Sequence, residues 1–160
     1  MKFSSLVMFT EMINLLRTNS DKSDFRELVA LLDEDLQIRD GDEHSFYAQY
    51  NKIDKIRHVV VAYAGGVAVG CGAIREYVVE VAEIKRMFVR EEWRGRGIAK
   101  SILLELEMWA GELNFSECIL ETGIKQPEAI ALYRKSGYQT IVSYGQYLNV
   151  ENSVCMKKFL

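Results

Sequence analysis

Glu83-Ile-Lys-Arg-Met-Phe-Val-Arg-Glu-Glu-Trp-Arg-Gly-Arg-Gly-Ile-Ala99 decides how this chain is read. An apolar strand ending at Val89 runs into a turn with three arginines, Arg90, Arg94 and Arg96, and two glycines, Gly95 and Gly97. A helix starts at once, with Ile98, Ala99, Ile102, Leu103, Leu106, Trp109 and Ala110 spaced along one apolar face. Glycine lets backbone approach a ligand closely, and a helix start presents unpaired N–H groups at the positive end of its dipole. Such a turn is an anion site, and arginine suits phosphate.

The kind of phosphate ligand follows from the spacing. A P-loop requires Gly-x-x-x-x-Gly-Lys-Ser/Thr, and the chain has no such string. A dinucleotide fingerprint requires glycine or alanine three residues after Gly97, where Lys100 stands. Arg94-x-x-Gly97-x-Ala99 fits the signature Arg/Gln-x-x-Gly-x-Gly/Ala. With it the sequence resembles the GNAT superfamily of acetyl-CoA-dependent N-acetyltransferases. A second stretch, Leu120-Glu-Thr-Gly-Ile-Lys-Gln-Pro-Glu-Ala-Ile-Ala-Leu-Tyr-Arg-Lys-Ser-Gly-Tyr138, resembles the strand, helix and turn that follow the phosphate helix in small members of that family. There Pro127 suits a first helical turn, Ala129, Ile130, Leu132 and Tyr133 keep helical spacing, and Gly137 is placed to end the helix. The resemblance runs from about Ile13 onward and is strongest between Ala82 and Tyr138.

The resemblance implies a cofactor site and a mechanism. The central strand is expected to splay from its neighbour, with the backbones of Met87, Phe88 and Val89 pairing with the pantetheine arm of acetyl-CoA. The pyrophosphate is expected on the N–H groups of Arg94, Gly95, Arg96, Gly97, Ile98 and Ala99, and Arg90 is a candidate for the 3′-phosphate. The plain alternative is a solvated basic turn with ordinary helix capping. Transfer from a thioester to an amine needs a neutral nucleophile, an oxyanion donor and a proton for the leaving thiolate. Alkylamines titrate near the lysine value of about 10.4, so a base is required at neutral pH. Glu83, eleven residues before Arg94, matches the catalytic glutamate of one branch of the family. Glu76 is the alternative, and a salt-bridged Glu83 with Lys85 or Arg86 as partner is the structural one. Tyr133 matches the family's general acid beside the acetyl-CoA sulfur, and packing against Tyr138 would equally account for a tyrosine there. The oxyanion donor would be a backbone N–H between Met87 and Val89.

Composition agrees with one domain over residues 1–160, recognisable from about 13 with 1–12 as an extension. A chain of this length buries a sizeable core without metals or disulfides. A formal net charge of −3 gives no electrostatic case for nucleic acid. Cys71, Cys118 and Cys155, an odd number in apolar stretches, read as buried free thiols of a reducing compartment. No apolar run approaches the roughly 20 residues of a membrane span. The N-terminal apolar run is too short for a signal peptide, Met12 is a possible alternative start, and cytoplasm is the expected location. His44 and His58 lack metal-ligand spacing, so no metal is expected.

Periodicity gives the remaining elements. Ile13–Arg17 reads as a first strand, and Asn19 to Ser23 supplies caps for a helix with Phe25, Leu28, Val29, Leu31, Leu32 and Leu36 on its apolar face. Gln37 to His44 reads as a polar loop, followed by a short helix with Phe46, Tyr47 and Tyr50. Val59–Tyr63 and Val67–Arg75 form a hairpin around Gly65-Gly66, and Val79–Val89, Cys118–Thr122, Tyr138–Tyr144 and Ser153–Phe159 read as further strands. Helices flanking a mixed sheet place the chain in the α/β or α+β class. The family implies six to seven strands and about four helices.

The acceptor is expected to be a primary amine on a small or amino-acid-like molecule. Acceptor contacts in the family come from the first helices, the loop between them and the last hairpin. Here those hold Arg39, Asp40, Asp42, Glu43, His44, Tyr47 and Tyr50, then Tyr144, Gln146 and Tyr147. The acidic loop suits a cationic amine and Arg39 a carboxylate, while the aromatic set suits a homodimer surface as well. An acetyl-CoA sensor without an acceptor and a peptide or protein N-acetyltransferase remain the alternatives.

Overall fold

The computed structural model describes residues 12–40 and 55–160. Seven strands form one sheet: β1 (Ile13–Thr18), β2 (His58–Ala64), β3 (Val67–Val78), β4 (Val81–Val89), β5 (Glu117–Gly123), β6 (Gln139–Ile141) and β7 (Ser153–Phe159). Helices are α1 (Ser23–Asp40), α2 (Ile98–Glu112) and α3 (Pro127–Lys135). The strand order is β1-β2-β3-β4-β5-β7-β6. Every pairing is antiparallel except β4 with β5. A parallel neighbour requires a crossover, and α2 supplies it. The mixed sheet with flanking helices agrees with the expected class, and the short helix expected around Phe46, Tyr47 and Tyr50 lies outside the described residues.

Each face of the sheet has its own core. Ile98, Ile102, Leu103, Leu106 and Ala110 of α2 bury against Val60, Ala62, Ile74, Ala82 and Ile84 on one face. On the other, Phe25, Leu28 and Val29 of α1 meet Val59, Val61, Cys71 and Ala73. Side chains of this size contribute about 1.5–3 kcal/mol each when fully buried. Gly72 permits the close approach of α2: a Cβ there would stand 2.5 Å from Met87 Sδ and 2.8 Å from a Leu106 methyl. The three cysteines are buried and unpaired with one another. Among the described residues, no helix is long and apolar enough to cross a membrane.

Two features of β4 position the site. Its parallel ladder with β5 covers only Val81↔Glu117, Ala82↔Cys118 and Glu83↔Ile119, after which the strands part. Its antiparallel ladder with β3 slips between Cys71↔Phe88 and Ala73↔Lys85, so that Arg86 and Met87 together oppose Gly72. This is a β-bulge, and Arg86 takes a φ of 60° within it. Left-handed backbone at a non-glycine residue costs about 1–3 kcal/mol. The extra residue turns Arg86 to the α1 face of the sheet, where its guanidinium reaches Asp33.

Three boundaries differ from the sequence expectation. Helix α1 continues through Gln37 to Asp40, because polarity alone does not end a helix and no glycine or proline intervenes. Strand β3 runs on to Val78, and β4 starts at Val81. The turn between them carries Glu80 at a φ of 67°, its carbonyl accepting from Ser116 N–H at 2.8 Å. A contact distant in sequence therefore fixes a turn that no local glycine announces. The strand expected at Tyr138–Tyr144 shortens to Gln139–Ile141, since Tyr144 leaves the sheet edge and turns inward to Glu83. Asn19 does not cap α1 itself; its Oδ1 accepts from Asp21 N–H in the turn before the helix. Helix α3 begins at Pro127 and ends before Gly137, whose φ is 98°, as expected.

Candidate active site

Where β4 and β5 part, a cavity of about 310 Å³ opens between the turn after β4, the start of α2 and one side of α3. Met87, Phe88, Val89, Arg94, Gly95, Gly97, Ile98 and Ala99 line it, eight of the nine residues expected to hold the cofactor. The ninth, Arg96, is exposed, lies 4.4 Å over the Trp93 ring and donates to the Glu92 carbonyl. Gly95 and Gly97 have φ of 77° and 80°, conformations open to glycine at little cost. Gly97 is the N-cap of α2, no side chain caps its first turn, and no acidic residue stands there. The N–H groups of that turn therefore face the cavity with the positive end of the helix dipole behind them. Arg94 locks the turn to the strand, its Nε donating to the Val89 carbonyl at 2.9 Å. Its Nη2 lies 3.9 Å from Asp35. Lys100, which the sequence signature does not include, adds a second cation to the lining. Arg90 is turned away: its Nε donates to the Ala68 carbonyl and its Nη2 to Glu27, so it is committed to β3 and α1.

A second cavity of about 100 Å³ adjoins on the α1 side of β4. Leu32, Met87, Gln126, Ala129 and Tyr133 line both cavities, so the two meet there. Glu83 lies in the smaller one and is 1% exposed. Tyr144 Oη donates to its Oε2 at 2.8 Å, and Arg75 Nε donates to its Oε1 at 3.2 Å. Arg75 and Tyr144 are thus its hydrogen-bond partners, while Arg86, which the sequence also offered as a partner, pairs with Asp33. Lys85 also lines the cavity, and burial lowers its pKa against the opposing pull of Glu83. Glu76 does not join this group. It is exposed, it pairs with Ala82 on the sheet face opposite to that of Glu83, and it lines neither cavity.

Tyr133 stands at the junction, on the inner side of α3 and 6% exposed. Burial, and then the nearby charge of Glu121, raises its hydroxyl pKa above the usual phenol value, so the proton stays in place at neutral pH. Its ring meets Tyr138 edge-on at 5.8 Å. Tyr138 in turn donates to Glu107 Oε2 at 2.9 Å, and Lys158 holds Glu107 Oε1 at 2.8 Å. Packing and acid roles are therefore compatible, because the ring contact fixes the hydroxyl at the cavity junction. Of the acceptor residues expected at the last hairpin, Tyr147 lines the smaller cavity and Tyr144 reaches Glu83. The side chains of Arg39 and Asp40, and all of Asp42, Glu43, His44, Tyr47 and Tyr50, lie outside the described residues. Three residues the sequence did not single out as acceptor contacts, Lys85, Arg86 and Glu121, line the smaller cavity. Their signal was present only as charge within strands that otherwise read as apolar, and Lys85 and Arg86, being adjacent, share a face only through the bulge.

Comparison with known proteins agrees with this fold. The Acetyltransferase (GNAT) family model matches residues 23–138. IAA acetyltransferase of Azospirillum brasilense is 39% identical over 100 residues, covering 62% of this chain and 65% of that protein. The matched stretch thus spans just under two thirds of that relative's length. A crystal structure from Klebsiella pneumoniae, described as an acyl-CoA N-acyltransferase, superposes with a TM-score of 0.79 at 31% identity, covering 93% of this chain and 98% of that one. PaiA N-acetyltransferase of Thermoplasma acidophilum, in complex with coenzyme A, shares the fold with a TM-score of 0.68 at 18% identity, over 93% of this chain and 99% of that one. With the splayed strands, the glycine turn and the matched family span in place, the chain belongs to the Acetyltransferase (GNAT) family.

Proposed function

We propose that the protein moves an acetyl group from acetyl-CoA to the primary amine of a small acceptor by direct attack. The carrying observation is the meeting of the two cavities at Tyr133 and Met87. The larger cavity has the helix start, Arg94 and Lys100 for the pyrophosphate, and the parted edge of β4 for the pantetheine arm. Backbone groups of Met87, Phe88 and Val89 on that edge have no partner in β5. They can pair with the arm and supply the N–H that holds the oxyanion. The coenzyme A bound to the Thermoplasma relative supports the same cofactor here.

In the smaller cavity Glu83 accepts the proton of the incoming ammonium, and the neutral nitrogen attacks the thioester carbon. As the tetrahedral intermediate collapses the carbon–sulfur bond breaks, and Tyr133 donates its proton to the departing thiolate. The second proton of the attacking nitrogen, acidic once the nitrogen is bonded to carbon, passes to the Tyr133 oxygen and restores the phenol. Arg75 and Tyr144 hold both oxygens of Glu83 in place for its role. Three unpaired buried thiols fit the reducing cytoplasm as the place of action.

The test is calorimetric titration with acetyl-CoA, followed on the same sample by thiol-release screening of amines, amino acids and peptides. Binding with release to one acceptor class is the expected result. Binding without release to any of them would favour a sensor, and failure to bind would remove the phosphate turn from the reading.

A further inference from the structure

The smaller cavity contains a cation whose hydrogen bonding is incomplete. Arg86 is 6% exposed overall and its side chain is 2% exposed. Asp33 on α1 takes one nitrogen, Nη1, at 3.1 Å. The other two, Nε and Nη2, are buried and make no hydrogen bond among the described residues. Leaving a buried donor unpaired is costly, and more so on a charged group. Burial accordingly lowers the Arg86 pKa, with Asp33 opposing the shift. Nε and Nη2 together form one edge of the guanidinium plane, the pair of parallel N–H groups that fits a carboxylate in bidentate fashion. Asp33 thus anchors the side chain by one corner and leaves that edge whole.

The position of this edge matters as much as its state. The β4 bulge puts Arg86 on the sheet face that carries Glu83, three residues along the strand. At about 3.3 Å per residue their backbones are roughly 10 Å apart, a span that two long side chains close around a small molecule. One end of the cavity therefore holds a buried carboxylate and the other a buried guanidinium.

Resting on the transferase reading above, we propose that the acceptor is a small amino acid-like molecule that carries a carboxylate as well as its amine. The Nε/Nη2 edge of Arg86 binds the carboxylate, while Glu83 receives the amine. The bulge exists to make this pairing, because a regular strand would point Arg86 into the α2 core.

The test compares free amino acids with their carboxamides and their decarboxylated amines in the thiol-release assay. It also titrates the same compounds into the protein saturated with coenzyme A. The wild type should favour the acid over its carboxamide by about 100-fold or more in kcat/KM, as expected where a buried polar group loses its partner. Arg86→Gln should bring acid and carboxamide to within a few-fold of one another while acetyl-CoA affinity stays unchanged. Equal use or equal binding of acid, carboxamide and amine by the wild type overturns the carboxylate site and leaves the transferase standing. Release with none of these compounds, but tight binding of acids alone, keeps the carboxylate site and overturns the transferase. Binding of none of them overturns the site. Should Arg86→Gln fail to fold, the wild-type preference decides by itself.

Discussion

The larger cavity, proposed as the cofactor cleft, and the smaller one, proposed as the acceptor cavity, share Tyr133 and Met87 but are built in opposite ways. The cleft is mostly backbone: a helix start, two glycines in the left-handed region and a strand edge without a neighbour. Its parts lie within Met87–Ala99, so a short string of sequence specifies nearly all of it. The acceptor cavity is mostly side chain. Glu83, Lys85 and Arg86 come from β4, Leu32 and Leu36 from α1, Glu121 and Thr122 from β5, and Tyr147 from the last loop. A backbone site is fixed by local conformation and tolerates change at most side chains, whereas a convergent site depends on each contributor. Substitutions on the two sides should therefore separate acetyl-CoA affinity from turnover.

Gly97→Val should have the largest effect. At a φ of 80° a β-branched residue is strained by about 1–3 kcal/mol. No heavy atom lies within 4 Å of where its Cβ would stand, so the fold should tolerate the bulk. The methyl groups would occupy the space in which the pyrophosphate approaches the helix start. Acetyl-CoA affinity by calorimetry should fall about 100-fold or more in a protein whose circular dichroism is unchanged. Near-normal affinity would mean that the phosphates sit elsewhere.

Tyr133→Phe tests the junction. Loss of the hydroxyl should lower kcat about 10²-fold, the scale of a general acid, with acetyl-CoA affinity held within about twofold. Equal loss in both would make Tyr133 a wall of the cleft and not a proton donor. On the acceptor side, Glu83→Gln keeps the hydrogen bond from Tyr144 and removes the base. It should lower kcat about 10- to 100-fold and flatten the alkaline-rising limb of the rate profile. A limb that survives would move the base to Lys85 or to water.

The same contrast explains what could be read in advance. Arg94, Gly97 and Ala99 announce the cleft because backbone sites need particular residues at fixed local offsets. Pro127 and Gly137 bracket α3 for the same reason. Tyr133 was legible through its helix, since the motif around it is local too. Glu83 could be named, but its partners could not: Arg75 reaches it across a strand pair and Tyr144 from 61 residues away. The Arg86 bulge was invisible, since a strand with one extra residue looks in sequence like a strand. Glu76 stands apart from Glu83 because the register of β3 with β4, which no local pattern states, places it on the other face.

Tyr144→Phe should give the smallest change and the most specific one. It removes one of the two hydrogen bonds to Glu83, leaving Arg75 to hold the carboxylate. Turnover should fall only several-fold, with acetyl-CoA affinity untouched. Stability should fall by about 1–3 kcal/mol, the cost of leaving a buried carboxylate oxygen without its donor. The pH dependence then separates this contact from simple packing. Burial, followed by the charge of Glu83, raises the Tyr144 pKa above the ordinary phenol value of about 10. A group whose pKa is raised by folding lends its stability in full below the unfolded pKa and loses it as pH rises through the folded one. The wild type should therefore lose stability above about pH 10, with the buried Tyr133 and Tyr138 contributing in the same direction. In Tyr144→Phe that alkaline loss should be smaller, so the gap in thermal midpoint between variant and wild type should narrow between pH 8 and pH 10.5. A gap of constant width would show that Tyr144 only fills space, and that Glu83 is held for catalysis by Arg75 alone.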